Sequence, residues 1–316
     1  MTPLRYETAP PFNFLGLPPE CSDPDTSRVL ILPVPYEATT SYGGGAKDGP
    51  RGIIEASRQV ELYDLELGYE PAIEWGIHTL PALSPDLSSP DAAIEAIADA
   101  VEEISQAATS NVNGRQLVGV LGGEHALSAG VARGLSRVHG ADFVTVQLDA
   151  HADLRESYEG TIYSHACAAR RILDHSSQVI QLGIRSVDMS EAQFYKNNPD
   201  KVHVTYAYEM QNGDGYLAGL ADRIRGKKVY LTIDIDALDQ SIMPATGTPE
   251  PGGLTWYQTL DIIRTVAVNA DVIAFDCVEL APIAGLRAPD FTTAKLVYKT
   301  INYILTSPAW ATHPDA

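Results

Sequence analysis

Phe143-Val144-Thr145-Val146-Gln147-Leu148-Asp149-Ala150-His151-Ala152-Asp153 runs from a β-branched apolar segment into three polar groups at alternate positions. Its first half is too short for a helix and too apolar for a sheet with one wet face. It reads as a strand buried on both sides, as in a parallel sheet. Working outward, comparable runs recur at Val29–Val34, Leu117–Leu121, Val179–Leu182, Val202–Thr205, Val229–Ile235 and Val272–Phe275. Helical periods lie between them. The clearest is Asp91–Ala108, where Ile94, Ile97, Val101 and Ile104 repeat at helical spacing behind Ser89 and Pro90 as start signals. Others cover Ala126–Val138, Trp256–Val268 and Phe291–Leu305. Strand alternating with helix predicts an α/β protein, a three-layer α/β/α sandwich around a central, mostly parallel sheet.

Nothing divides that sandwich. The chain has 316 residues, 45% hydrophobic, enough for one large core, with no internal repeat, low-complexity tract or linker. Pro3, Pro10, Pro11, Pro18, Pro19 and Pro24 leave no room for a helix or a central strand at the start. The expected organisation is an extended N-terminal arm at 1–27, suited to packing on a neighbouring subunit, followed by a single domain at 28–316. No apolar run approaches the ~18 residues of a membrane span, and the first residues lack the basic-then-apolar order of a signal peptide. A cytoplasmic protein with no membrane partner is expected.

Three widely spaced cysteines, Cys21, Cys167 and Cys277, suggest neither a disulfide framework nor a thiolate cluster, so any metal must be bound through oxygen and nitrogen. With 41 acidic against 22 basic residues the net charge is -19. That field repels nucleic acid and anionic lipid and attracts a small cation, although solubility alone explains the acidity equally well. The Gly43-Gly44-Gly45 loop lacks the Gly-Lys-Ser/Thr ending of a phosphate loop, which argues against nucleotide binding.

The chemistry-bearing residues gather at predicted strand ends, where open parallel sheets place ligands. In Gly122-Gly123-Glu124-His125 two glycines let the chain turn and present His125. In an extended chain, alternation would aim Asp149, His151 and Asp153 to one side. In Val229-Tyr230-Leu231-Thr232-Ile233-Asp234-Ile235-Asp236 the same alternation would put Asp234 and Asp236 on one face. Two buried carboxylates at 4 Å repel by about 4 kcal/mol at an effective dielectric near 20. Protonation relieves this, and so does metal. Four aspartates carry the charge that two divalent cations neutralise, with His125 and His151 as neutral ligands. That hard donor set suits Mn²⁺, with Co²⁺ or Ni²⁺ as alternatives.

Together these motifs resemble the ureohydrolase superfamily of arginases and agmatinases. The likeness extends to Pro33-Val34-Pro35-Tyr36-Glu37, Gly49-Pro50-Arg51-Gly52-Ile53-Ile54-Glu55-Ala56-Ser57, Gly183-Ile184-Arg185-Ser186, Thr246-Gly247-Thr248-Pro249-Glu250-Pro251-Gly252-Gly253-Leu254 and Val278-Glu279-Leu280-Ala281-Pro282. It implies two Mn²⁺ ions, a hydroxide bridging them, and hydrolysis of a guanidino group to urea and an amine. Carried over, it makes His125 and Asp153 ligands of one metal, His151 and Asp236 ligands of the other, and Asp149 and Asp234 bridges. It further implies that Asp153 orients the hydroxide, His165 of Tyr163-Ser164-His165 shuttles a proton, and Glu279 grips the guanidinium. A homo-oligomer, trimer or hexamer, is implied as well.

The chain departs from the family pattern at Ala166-Cys167, Gln240, Ala245 and the residues following Glu279. None of these removes a ligand, so they bear on the substrate. Arg155 stands where arginases carry Asn, and Glu156 or Glu159 is placed to attract a distal ammonium group, which favours agmatine giving putrescine and urea. 4-Guanidinobutanoate, guanidine and arginine are alternatives, as is a catalytically silent regulatory relative. A two-metal phosphoesterase fits worse, because the strand ends are acidic. Cys167 reads as a small packing residue, and the histidines at 78, 139, 175, 203 and 313 as structural or surface groups.

Overall fold

The computed structural model describes residues 9–311. Pro3 of the expected arm and His313 lie outside the described residues. Eight strands form one sheet: β1 (Val29–Val34), β2 (Ile77–Thr79), β3 (Leu117–Gly122), β4 (Val144–Leu148), β5 (Gln178–Ile184), β6 (Val202–Tyr206), β7 (Lys228–Asp234) and β8 (Asp271–Val278). Their order is β2-β1-β3-β8-β7-β4-β5-β6, and every neighbouring pair is parallel. The helices are α1 (Gly49–Ser57), α2 (Pro71–Trp75), α3 (Pro90–Ser110), α4 (Leu127–His139), α5 (Ala168–Ile172), α6 (Met189–Asn197), α7 (Gly215–Ile224), α8 (Trp256–Asn269), α9 (Ala288–Leu305) and α10 (Pro308–Ala311).

Alternation along each strand divides the core into two layers. Val29 and Ile31 of β1 join the cluster that packs α1, α7, α8, α9 and α10. Leu30 and Leu32 join the opposite cluster, with α3, α4, α5 and α6. The expected three-layer α/β/α sandwich is therefore present, and its sheet is wholly parallel. Helix starts follow the local chemistry: the Ser89 side chain accepts from Ala92 N–H at 3.1 Å with Pro90 in the first turn, and Thr255 and Gln258 form a capping box on α8.

The first described residues make two short 3₁₀ turns, and Phe14, Leu15 and Leu17 are buried against this chain's own core. Short β2 and helices α1, α2, α5, α6, α7 and α10 were not anticipated from the sequence. The four innermost strands are β3, β8, β7 and β4, and the site is built beyond their C-terminal ends.

Candidate metal centre

Each inner strand delivers one segment. Beyond β3 the chain passes so close under the Tyr36 carbonyl that a Cβ on Gly123 would fall 1.9 Å from its oxygen. Only glycine fits, and the turn sends His125 into the site. Asp149 follows β4, Asp234 ends β7, and Glu279 follows β8.

Two expectations from alternation need correction. Asp153 has φ 52°, a left-handed backbone, so Asp149, His151 and Asp153 converge through a turn and not as one face of an extended chain. Asp236 lies in a 3₁₀ turn, Ile235–Ala237, beyond the strand, and its backbone N–H donates to Asp234 Oδ1 at 2.8 Å. In both places the strand ends before the pattern does, and the backbone folds back to collect the side chains.

Five of the six metal-ligand candidates come together in two triads that share Asp149, and Asp234 lies beside the first. His125, Asp149 and Asp153 form one, and Asp149, His151 and Asp236 the other, with the donor atoms of each within 4.8 Å of one another. His125 Nδ1 lies 3.0 Å from Asp149, 3.2 Å from Asp153 and 3.2 Å from Asp234. His151 Nδ1 lies 2.9 Å from Asp236 and 3.7 Å from Asp149. The buried His125 Nδ1 nevertheless has no hydrogen-bond partner. A ring nitrogen ringed by carboxylate oxygens at contact distance, without hydrogen-bond geometry, fits a lone pair directed at a cation.

Electrostatics agree. Burial and the charge of Asp149 push the Asp153 carboxyl up to about 7. Burial, with the charges of Asp236 and Asp149, holds Asp234 well above the ordinary carboxylate range. Against the cost of burial, the surrounding carboxylates hold His125 well above an ordinary imidazole and push His151 up to about 12. The cluster retains protons because it lacks compensating positive charge, which is the condition a divalent cation removes.

Buried partners that the sequence reading overlooked hold the ligand candidates in place. His125 Nε2 lies 3.0 Å from Thr232 Oγ1. Ser128, itself 3.5 Å from that hydroxyl, donates to the fully buried Asp276 at 2.6 Å, and the Tyr230 hydroxyl donates to the same carboxylate oxygen. Gln147 donates to Asp149 Oδ2 at 2.7 Å. The Arg185 guanidinium donates to the carbonyls of Asp236 and Glu250 at 2.6 and 2.9 Å, clamping the turn that carries Asp236. Thr232 and Gln147 lie in the quoted strands, and their period was the available signal. Tyr230 shares the period of Thr232, whereas Ser128 and Asp276 carried none.

A narrow pocket above the triads is lined by His125, His151, Asp153, Asp234, Asp236, His165 and Glu279, with Thr40–Gly43 and Gly247–Thr248 as its roof. Glu279, at φ 67°, accepts the His125 N–H on Oε1 at 2.6 Å. Burial pushes its carboxyl up to about 8, while burial of His165 lowers that imidazole below its usual value. An outer chamber of about 310 Å³ shares Ser41, His151, Asp153, His165 and Thr248 with this pocket and extends to Arg155, Tyr158 and Asp188. Glu156 does not line it, being paired with Arg170 at 2.6 Å and Arg171 at 3.4 Å. Cys167 is buried, and burial pushes its thiol up to about 11, as a packing residue requires.

A parallel α/β sheet carrying two His/Asp triads with a shared carboxylate at its C-terminal edge is an arrangement that could hold a pair of metal ions, as in dinuclear metallohydrolases. The chain belongs to the arginase family, whose model matches residues 27–305, and it is a hydrolase acting on guanidino C–N bonds. It is 39% identical to the N(1)-aminopropylagmatine ureohydrolase of Synechocystis sp. over 88% of this chain and 89% of that one. It is 32% identical to the agmatinase of Pyrococcus horikoshii, over 86% and 90%. The structure of the agmatine ureohydrolase of Thermoplasma volcanium superposes with a TM-score of 0.77 at 28% identity, covering 90% of this chain and 92% of that one. Among the described residues, no helix is long and apolar enough to cross a membrane.

Proposed function

We propose that this enzyme hydrolyses the terminal guanidino group of agmatine or of agmatine extended by an aminopropyl group, releasing urea and putrescine or spermidine, respectively. The outer chamber carries this reading. Beyond His165 the site continues into about 310 Å³ of space lined by the half-buried Asp188, where a distal ammonium finds an opposite charge. Similarity to proteins named for both substrates supports it.

In this reading His125, Asp149, Asp153 and Asp234 hold one divalent cation and His151, Asp149, Asp234 and Asp236 a second, Mn²⁺ being the ion proposed and Co²⁺ or Ni²⁺ the alternatives. When bound, the cations supply the positive charge that makes water nucleophilic near neutral pH. Asp153 orients that water. Glu279, with Oε1 anchored by the His125 N–H, presents Oε2 toward the planar guanidinium and fixes its carbon over the cluster. His165, kept neutral by burial, takes a proton on Nε2 and passes it to the departing amine. We also propose that 28–316 acts as one catalytic domain with 1–27 as an N-terminal arm, and that the protein is a cytoplasmic homo-oligomer, a trimer or hexamer.

Urea release measured with Mn²⁺-loaded enzyme on agmatine, N(1)-aminopropylagmatine, 4-guanidinobutanoate, guanidine and arginine tests the reading. The two amine-terminated substrates are expected to give the highest kcat/KM. Preference for 4-guanidinobutanoate or guanidine would overturn the substrate assignment, and no urea from any of the five, with both metals bound, would overturn the activity.

A further inference from the structure

Glu124 is completely buried beside a proposed ligand, yet its hydrogen bonds run away from the triads. Its Oε2 accepts the backbone N–H groups of Ala38 and Thr39, both at 2.7 Å, and its Oε1 accepts the Thr39 hydroxyl, also at 2.7 Å. The Thr39 oxygen then faces His165. It accepts the His165 backbone N–H at 3.0 Å and lies 3.4 Å from the ring Nδ1. Thr39 has one hydroxyl proton, and the much shorter contact commits it to Glu124. Toward the imidazole the oxygen can only accept.

We propose that Glu124, acting through Thr39, is a positioning pair that places the His165 proton on Nδ1 and so leaves Nε2 as the atom that exchanges protons in the pocket. The inference rests on His165 being the proton carrier of the proposed function. It explains why a buried carboxylate is spent on two residues of a surface loop: the same contacts hold Thr39 against His165 and fix the base of the pocket roof. Nε2 faces the pocket side, 3.5 Å from Ser41 Oγ. Among the described residues, Ser164 Oγ, 3.5 Å from Nδ1, is the rival group able to donate to that nitrogen, and it would require the opposite tautomer.

The test reads the ring protons directly. Two-bond ¹H–¹⁵N spectra of the full chain, labelled with ¹⁵N-histidine and loaded with diamagnetic Zn²⁺, are recorded where the ring is neutral, with the His165 signals assigned by their loss in His165→Asn. Wild type and Thr39→Ser are expected to carry the proton on Nδ1. Glu124→Gln keeps the side-chain volume. Its carbonyl must serve the two backbone N–H groups, so its amide donates to Thr39 Oγ1, freeing the hydroxyl proton toward Nδ1. The tautomer is expected to invert to Nε2–H. Thr39→Val is expected to lose the preference. In turnover, Thr39→Val should reduce kcat by roughly tenfold or more, within the range general acid–base groups contribute, with KM little changed, and Thr39→Ser should restore it. An Nε2–H tautomer in the wild type, or an Nδ1–H tautomer unmoved by both Glu124→Gln and Thr39→Val, would overturn the proposal. The spectra need no substrate, so they decide this point even if the guanidino assay fails.

Discussion

Thr232→Val removes one hydroxyl at nearly constant volume and isolates the support behind His125. Thr232 is fully buried, His125 is 1% exposed, and the Nε2 to Oγ1 distance is 3.0 Å. A buried N–H that loses its only partner costs about 1–3 kcal/mol. Part of that cost falls on the metal-free protein too, where the ring is free to readjust, so the affinity difference sits in the lower half of the range. At 1.4 kcal/mol per decade the expectation is roughly fivefold to twenty-five-fold weaker metal binding, at the lower end of the ~10–100-fold typical of lost outer-sphere partners. Ser128→Ala, one step further from the ring, should cost less. The assay is competition for Mn²⁺ against a chromophoric chelator, with melting curves to confirm the fold. Affinity for both ions within twofold of wild type, in a protein that melts normally, would refute the view that Thr232 orients the ligand.

Two further expectations follow from buried charge. Because Asp153 is held near 7 and His151 near 12, with Asp234 and His125 also raised, metal uptake at neutral pH must expel protons. Affinity should therefore rise with pH across the neutral range, and a pH-stat that records no proton release on loading would contradict the ligand set. Away from the site, Lys299 is 7% exposed in its side chain and held by Asp64 at 3.0 Å and Glu66 at 2.8 Å. Asp64→Ala leaves that ammonium to Glu66 and deprives Asn302 of its acceptor, and should destabilise the protein by about 2 kcal/mol in denaturant titrations. Burial opposes the Asp64 anion, but Asn302 and Lys299 outweigh it and lower the pKa. Its contribution is thus complete above the unfolded value of about 4 and fades as pH falls through the folded one. A difference between variant and wild type that does not shrink there would show that the ion pair is not its source.

The parallel sheet was legible because its strands are short apolar runs of β-branched residues, and β1 matches its expected span, Val29–Val34. β2 was not, since three residues, Ile77-His78-Thr79, carry no period. Helix α6 was missed for a related reason: it buries only Glu191 and Tyr195, so no apolar stripe marks it. All six metal-ligand candidates could be named because carboxylates and imidazoles at strand ends are costly without a cation. The Thr39–Glu124 contact spans 85 residues and Ser128–Asp276 spans 148. Such pairs leave no local trace, and only the folded sheet brings them together.

Backbone strain marks where alternation stopped being a guide. Asp153 and Glu279 both adopt left-handed φ, which costs an L-residue roughly 1–2 kcal/mol. The surroundings over-determine each one. The Asp153 carbonyl accepts the Arg170 N–H at 3.0 Å, the Glu279 N–H donates to Gly123 at 2.8 Å, and the His125 N–H holds the Glu279 carboxylate. An extended backbone at 153 would carry its carboxylate along β4 and away from His125. At 279 it would carry the carboxylate past the pocket that Oε2 now faces. Local conformational preference and function thus conflict at the two carboxylates proposed to orient water and guanidinium, and hydrogen bonds from the turn after β3 and from α5 offset the difference.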